Sequence, residues 1–407
     1  MPTSTPGLRA RRTGVKAMGL ALAAVATLTA APAAAEPSAV RLRLPAPTGG
    51  SPIGVTDLHL VDKSRPDPWV AARPYRELMV SVWYPAGGSP RLPLAPQMAP
   101  LAAADFDDTL APALFGTKPG TVDWAATTTH ARAGAPVDRR AGRVPVVLFS
   151  AGAGAPRTIG ATLVEELASR GYAVVTVDHT YEAAQVEFPG GRLERSAFPQ
   201  RPTQEDMAKA QRVREEDMRF VLDQLARLGR GDNPDAERRR LPAGLRGGLD
   251  LTRVGALGHS MGGATAAQLT HGDRRVDAGV NLDGGFRGSV ATTGVAKPFL
   301  QIAAENHTRA SDPSWKSFWD RSTGWKRELR FTGTAHYSFS DAEAMVPQLA
   351  GELGVPAGDI IGTMDPRRAV TAQRAYVSAF FDLHLKGRQT TLFDALSSRF
   401  PEVKPIP

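Results

Sequence analysis

Arg253-Val254-Gly255-Ala256-Leu257-Gly258-His259-Ser260-Met261-Gly262-Gly263-Ala264-Thr265-Ala266-Ala267-Gln268-Leu269 is the stretch on which the reading of this chain turns. It opens with a short apolar run of strand character and closes with small, helix-compatible residues. Between the two stands Gly-x-Ser-x-Gly, the pattern of a nucleophile elbow, which holds a serine exposed in a strained strand-to-helix turn. Such a turn needs small neighbours: Gly258 and Gly262 supply the space, and Gly263 lets the following helix pack close. A glycine-rich turn without chemistry gives the same pattern, so the assignment depends on partners elsewhere in the chain.

Short apolar runs recur on both sides of the elbow, at residues 78–84, 144–150, 172–177, 278–282, 298–303 and 328–331. Helix-compatible stretches at 159–169 and 366–385 lie among them, the second ending at Gly387. Thr203-Gln204-Glu205-Asp206 has the form of a capping box with Asp in place of Glu. Behind it, Met207, Ala210, Arg214, Met218, Val221, Leu225 and Leu228 follow three- and four-residue steps. All but Arg214 are apolar, which predicts a core-facing stripe. Short apolar strands alternating with helices predict a mostly parallel sheet covered on both faces. A hairpin region is expected around 56–61. Residues 86–143, rich in Ala, Pro and Gly, read as an insertion on the surface. The chain shows no internal repeat, and residues 36–407 read as one catalytic domain.

The N-terminal residues are read apart from the fold. Arg9, Arg11, Arg12 and Lys16 precede an apolar stretch at 17–31, and Ala33-Ala34-Ala35 offers a cleavage site before Glu36. This predicts a secretory signal peptide over residues 1–35 and an exported, extracellular protein. The Arg11-Arg12 pair also fits the twin-arginine route, although Gly14 and Val15 stand where bulkier apolar residues are usual. Setting the segment aside lowers the formal net charge from +8 to +4. The run Arg238-Arg239-Arg240 has no aromatic interleaving and reads as a solvated loop, so no nucleic-acid partner is expected. The chain has no cysteine, which excludes disulfides, thiol catalysis and an anchor through an N-terminal cysteine. No later apolar run approaches the length of a membrane span. With no H-E-x-x-H, Asp-rich calcium loop or clustered histidines, neither a metal nor a cofactor is expected. A soluble, globular protein is the expectation, with its oligomeric state open.

A serine hydroxyl needs a base oriented by a carboxylate. At an elbow of this kind the chain order is serine, acid, histidine. Four histidines follow Ser260: His271, His307, His336 and His384. His271 comes too soon after the elbow, His384 lies on the terminal helix, and His307 follows a strand one too early. His336, in Gly333-Thr334-Ala335-His336-Tyr337, stands where a loop from the last strand returns over the serine. Asp283, entering Gly284-Gly285, and Glu305, one strand later, are the candidate acids at the sheet's carboxyl edge. Asp before Gly also favours an ordinary turn. An oxyanion needs fixed N–H donors. Met261 and Ala153, the latter in the loop Ser150-Ala151-Gly152-Ala153-Gly154, are the candidates. That loop is not a dinucleotide fingerprint, because Arg157 takes the place of the third glycine.

Together these motifs resemble the secreted platelet-activating factor acetylhydrolases and their bacterial relatives, which are α/β-hydrolase carboxylesterases. The resemblance is carried by Val146-Val147-Leu148-Phe149-Ser150, by Gly171-Tyr172-Ala173-Val174-Val175 with Val177-Asp178-His179, by Gly258 to Thr265, by Leu282-Asp283 and by Ala335-His336. It spans roughly residues 55–387. It implies an α/β-hydrolase fold, with a mostly parallel central sheet, helices on both faces and surface insertions. The implied reaction is calcium-independent hydrolysis of an ester bearing a short or oxidised acyl group on a phospholipid, with at most transient contact with a lipid surface. In that family the acid follows the strand next after the elbow, which selects Asp283 and a triad of Ser260, Asp283 and His336. The chain departs from the family at Ala151, where the pattern has His before the glycine. A cutinase-like, polyester-degrading or lipase-type hydrolase is the alternative, and it would place the acid at Glu305. A non-catalytic binding protein on the same fold is the third reading, which the complete Ser-Asp-His order disfavours.

Overall fold

Apolar strands that must be buried on both faces dictate the architecture, seen in a computed structural model that describes residues 39–407. The expected signal peptide, residues 1–35, lies outside the described residues. Among the described residues thirteen strands occur in the order β1 (Ile53–Asp62), β2 (Arg76–Pro85), β3 (Leu94–Pro96), β4 (Thr128–Ala133), β5 (Val144–Ser150), β6 (Ala173–Asp178) and β7 (Gln185–Phe188), followed by β8 (Arg192–Arg195), β9 (Leu249–His259), β10 (Val276–Leu282), β11 (Phe299–Ala303), β12 (Lys326–Phe331) and β13 (Val403–Pro405). Eleven of them form one sheet in the order β13-β12-β11-β10-β9-β5-β6-β2-β1-β4-β3, while β7 and β8 form a separate hairpin. The block from β6 to β12 is wholly parallel. Strand β2 joins it antiparallel to β6, β1 pairs antiparallel with β2, and β13 closes the other side antiparallel to β12. Each outermost strand is three residues long.

Period-two alternation sorts the side chains of β5 into two layers. Val147 and Phe149 pack with Leu163 and Leu167 of α3 (Ala161–Ser169) and with Phe380 and Phe381 of the terminal helix, Pro366–Lys386. Val146 and Leu148 face the other way, onto Met218, Val221 and Leu225 of α4 (Gln204–Gly229). Burying a side chain of this kind contributes about 1.5–3 kcal/mol. Thr203 caps α4 through a complete capping box: its Oγ1 accepts from the Asp206 N–H at 3.2 Å, and Asp206 accepts from the Thr203 N–H at 2.9 Å.

Residues 86–143 do not form a loose insertion. They supply β3 and β4 to the sheet, β4 pairing parallel with β1, and two short helices, α1 (Pro100–Asp108) and α2 (Leu110–Phe115). Trp124 is buried between Phe106 and Phe115, its ring 4.8 Å and 5.9 Å from theirs. Each element here has at most nine residues, so no period develops that could announce it, and aromatic packing settles the structure. No helix among the described residues is long and apolar enough to cross a membrane.

Strand register aligns the loops that matter. Ser150 lies opposite Gly258, His259 opposite Leu282, and Leu282 opposite Ile302. The loops after β5, β9, β10 and β11 therefore leave one carboxyl edge side by side.

Candidate active site

Strand β9 ends at His259, and the helix Met261–Gly272 starts at once. Ser260 alone makes the turn, with φ 55° and ψ −125°. The approach of strand to helix leaves no room for a side chain: a Cβ on Gly262 would fall on the Ser150 carbonyl, and one on Gly258 on the backbone of Gly262. The Ser260 N–H donates to the Leu282 carbonyl at 2.8 Å, tying the elbow to the end of β10. Met261, as the first helical residue, has an N–H with no intrahelical acceptor, at the positive end of the helix dipole.

His336 follows β12 and meets Asp283, which follows β10. Its Nδ1–H donates to Asp283 Oδ2 at 2.6 Å, which leaves Nε2 as the acceptor nitrogen. Asp283 Oδ1 accepts the Ala304 N–H at 2.8 Å and His307 Nδ1–H at 2.9 Å. Burial raises the Asp283 carboxyl, but the hydrogen bonds from His307 and His336 outweigh it and hold the group below the usual carboxylate range. The ring of His336 sits 4.6 Å from that of His259, the neighbour of Ser260. Among the described residues Ser260 Oγ makes no hydrogen bond.

The competing candidates lie elsewhere. Glu305 accepts the Gly333 N–H at 2.6 Å and stands 4.0 Å from Arg330, so it supports the loop that carries His336 without meeting the imidazole. His271, in the last turn of the elbow helix, bonds the Gly294 carbonyl at 2.8 Å. His384, on the terminal helix, packs against the rings of Trp325 and Phe380.

Two residues of the site were not assigned from sequence. His307, passed over because it follows β11 too early, is folded back by its loop onto Asp283. Both its ring nitrogens face carboxylates, Asp283 and Asp312, each at 2.9 Å. Burial lowers this imidazole, but its bonds to Asp283 and Asp312 prevail and push it up to about 9, which favours the imidazolium form at neutral pH. The Trp315 ring covers it, 4.4 Å between centroids. His259, the variable residue before Ser260, is kept neutral by burial, which pushes it down to about 3. Its Nε2–H donates to the His336 carbonyl at 2.9 Å and so ties the elbow to the histidine loop. Its adjacency to Ser260 was the only signal available in sequence.

The loop after β5 passes alongside the serine. A Cβ on Gly152 would lie 3.3 Å from Ser260 Cβ and 3.2 Å from His259 Nδ1. Ala153 is exposed, and its N–H finds no acceptor among the described residues.

Residues 120–398 match the family model of platelet-activating factor acetylhydrolase, isoform II. The chain is 30% identical over 281 residues to a probable 1-alkyl-2-acetylglycerophosphocholine esterase of Arthroderma benhamiae, covering 64% of this chain and 65% of that one. It is 25% identical over 230 residues to a platelet-activating factor acetylhydrolase of Cavia porcellus, covering 52% of this chain and 51% of that one. The chain thus spans from about half to just under two thirds of these relatives' length. A solved ferulic acid esterase from Streptomyces cinnamoneus superimposes with a TM-score of 0.75 at 38% identity, covering 90% of this chain and 99% of that one.

Proposed function

The chain belongs to the platelet-activating factor acetylhydrolase, isoform II, family and has an α/β-hydrolase fold, and on these premises we propose that it is a serine carboxylic-ester hydrolase. The observation that carries the proposal is the 2.6 Å bond from His336 to Asp283 on the edge where Ser260 is held at φ 55°. Ser260 Oγ attacks the ester carbonyl while His336 Nε2 takes its proton, and Asp283 fixes the tautomer and stabilises the imidazolium. The N–H groups of Met261 and Ala153 hold the oxyanion. Collapse expels the alcohol, which takes the proton back from His336. Water, deprotonated by the same imidazole, then releases the acid and frees Ser260.

The substrate of this reading is a short-acyl ester, either a platelet-activating factor-like phospholipid or a related small ester. The names of the family and of its relatives support it, and so does an open site. The side chain of His336 is 41% exposed and the neighbouring Tyr337 37%, which leaves the bulk of the alcohol room outside. A second reading, an ester of an aromatic acid, is favoured by the ferulic acid esterase, which matches more of the chain at higher identity than the curated relatives do. In the same proposal residues 1–35 are a signal peptide removed on export, and residues 36–407 are one catalytic domain.

The deciding experiment treats the folded protein with an organophosphate probe. It then compares hydrolysis of p-nitrophenyl esters of graded length, a 2-acetyl phospholipid and methyl ferulate. Labelling at Ser260 with preference for acetyl esters supports the first substrate, and preference for ferulate the second. An unlabelled Ser260 in folded protein overturns the esterase itself.

A further inference from the structure

One residue breaks the apolar stripe of α4, and it is buried: Arg214 is 1% exposed. A guanidinium there needs a full set of partners. Two of its donors go to Glu182 Oε2, Nε at 2.8 Å and Nη2 at 2.5 Å. The others go to the loop after β5. Nη1 donates to the Ala151 carbonyl at 2.5 Å and to Ser150 Oγ at 3.1 Å, and Nη2 donates to the Gly152 carbonyl at 2.9 Å. Glu182 completes the grip, its Oε1 accepting the Gly154 N–H at 2.9 Å. The near end of the loop is fixed as well. Ser150 Oγ lies 3.0 Å from His179 Nε2, and His179 Nδ1 lies 2.9 Å from Asp217, which Arg76 holds at 2.7 Å.

A trans peptide points its C=O and its N–H in opposite directions. The Gly152 carbonyl is turned inward onto Arg214, so the N–H of the same peptide, that of Ala153, is turned away from the interior. This is the N–H that finds no acceptor among the described residues, and the peptide runs beside Ser260. At Gly154 the arrangement reverses, its N–H turning inward to Glu182. The loop thus offers the Ala153 N–H because a buried ion pair holds the carbonyl before it and the N–H after it, alongside a turn bond from the Ala155 N–H to that carbonyl at 3.1 Å.

We propose that Arg214, held by Glu182, is the positioning residue of the oxyanion hole, aiming the Ala153 N–H at the reacting oxygen through the Gly152 carbonyl. The inference rests on the ester-hydrolase reading.

The test measures kcat and KM for p-nitrophenyl acetate, and the affinity of an alkyl boronic acid, whose tetrahedral adduct needs the oxyanion donors. The variants are Arg214→Lys and the double variant Arg214→Met/Glu182→Met. The double change removes both charges together and leaves none buried alone, the way such pairs are tolerated in interiors. In the double variant kcat is expected to fall about 10²-fold, as for loss of one oxyanion donor. KM should stay unchanged, and boronate affinity should fall in parallel. Arg214→Lys should lie between, because an ammonium lacks the fork that spans two carbonyls and Glu182. Wild-type kcat and boronate affinity in a folded double variant overturn the proposal. So does wild-type kcat in Arg214→Lys, which decides alone if the double variant does not fold. Inactivity of the unmodified protein, with Ser260 unlabelled, instead overturns the esterase reading.

Discussion

Ser260 and Asp283 share a backbone setting that ordinary residues avoid, with φ of 55° and 58°. The same device holds both: the N–H of each donates at 2.8 Å to a carbonyl at the end of the next strand, Leu282, the last residue of β10, for Ser260 and Ile302, the last but one of β11, for Asp283. Strain of this kind costs about 1–3 kcal/mol per residue and persists only where its surroundings impose it. The acid's identity is decided at this scale. Asp283→Asn is expected to lower kcat for p-nitrophenyl acetate by about 10⁴-fold, because an amide no longer holds the imidazole in the reactive tautomer. Glu305→Gln should stay near wild type, since a Gln carbonyl also accepts the Gly333 N–H. The opposite pattern would move the acid one strand along. Ser260, Asp283 and His336 were legible as an ordered set of candidates after one motif, and the structure joins the last two by a hydrogen bond. The pairing of His307 with Asp283 was not, because it depends on how a loop folds back in space.

Elements carried the prediction unevenly, and their length explains how. Strands β2, β5, β6, β9, β10 and β11 each present five or more residues to a sheet buried on both faces, so they read as continuous apolar runs. The three-residue β3 and β13 and the four-residue β7 and β8 are too short to show a period. The same limit hid the order within residues 86–143, where three buried aromatic side chains replace pattern as the organising force. Trp124→Ala is expected to cost about 3–5 kcal/mol, the range for removing a large core aromatic side chain. The shift of the urea midpoint at constant slope would measure it. A surface insertion would lose no more than about 0.5 kcal/mol. The helix α4 was legible for the opposite reason, with its cap and its stripe both written in sequence, and the one residue that breaks the stripe acts on the loop beside Ser260.

Buried ionisable groups couple the whole molecule to pH. His307 is pushed up to about 9 from 6.5, so its contribution to stability is fully present below pH 6.5 and is lost as pH rises through about 9. Glu343, raised by burial to about 8 from 4.5, acts in the same direction, its contribution present below pH 4.5 and lost as pH rises through about 8. His259 and His384, lowered by burial to about 3 and about 4, act oppositely: their contributions are present above pH 6.5 and lost as pH falls through those values. The melting temperature is therefore expected to decline from pH 6.5 towards pH 9, and His307→Gln should flatten that decline. An identical slope in calorimetric scans of both proteins would show that His307 is not the cation. At the rims of the sheet, the strands Leu94–Pro96 and Val403–Pro405 both end in proline, which has no N–H to offer an incoming strand. Rims this short and closed by proline are poor templates for another chain, so folded copies are expected to stay free of edge-to-edge fibrils at high concentration, as thioflavin fluorescence would show.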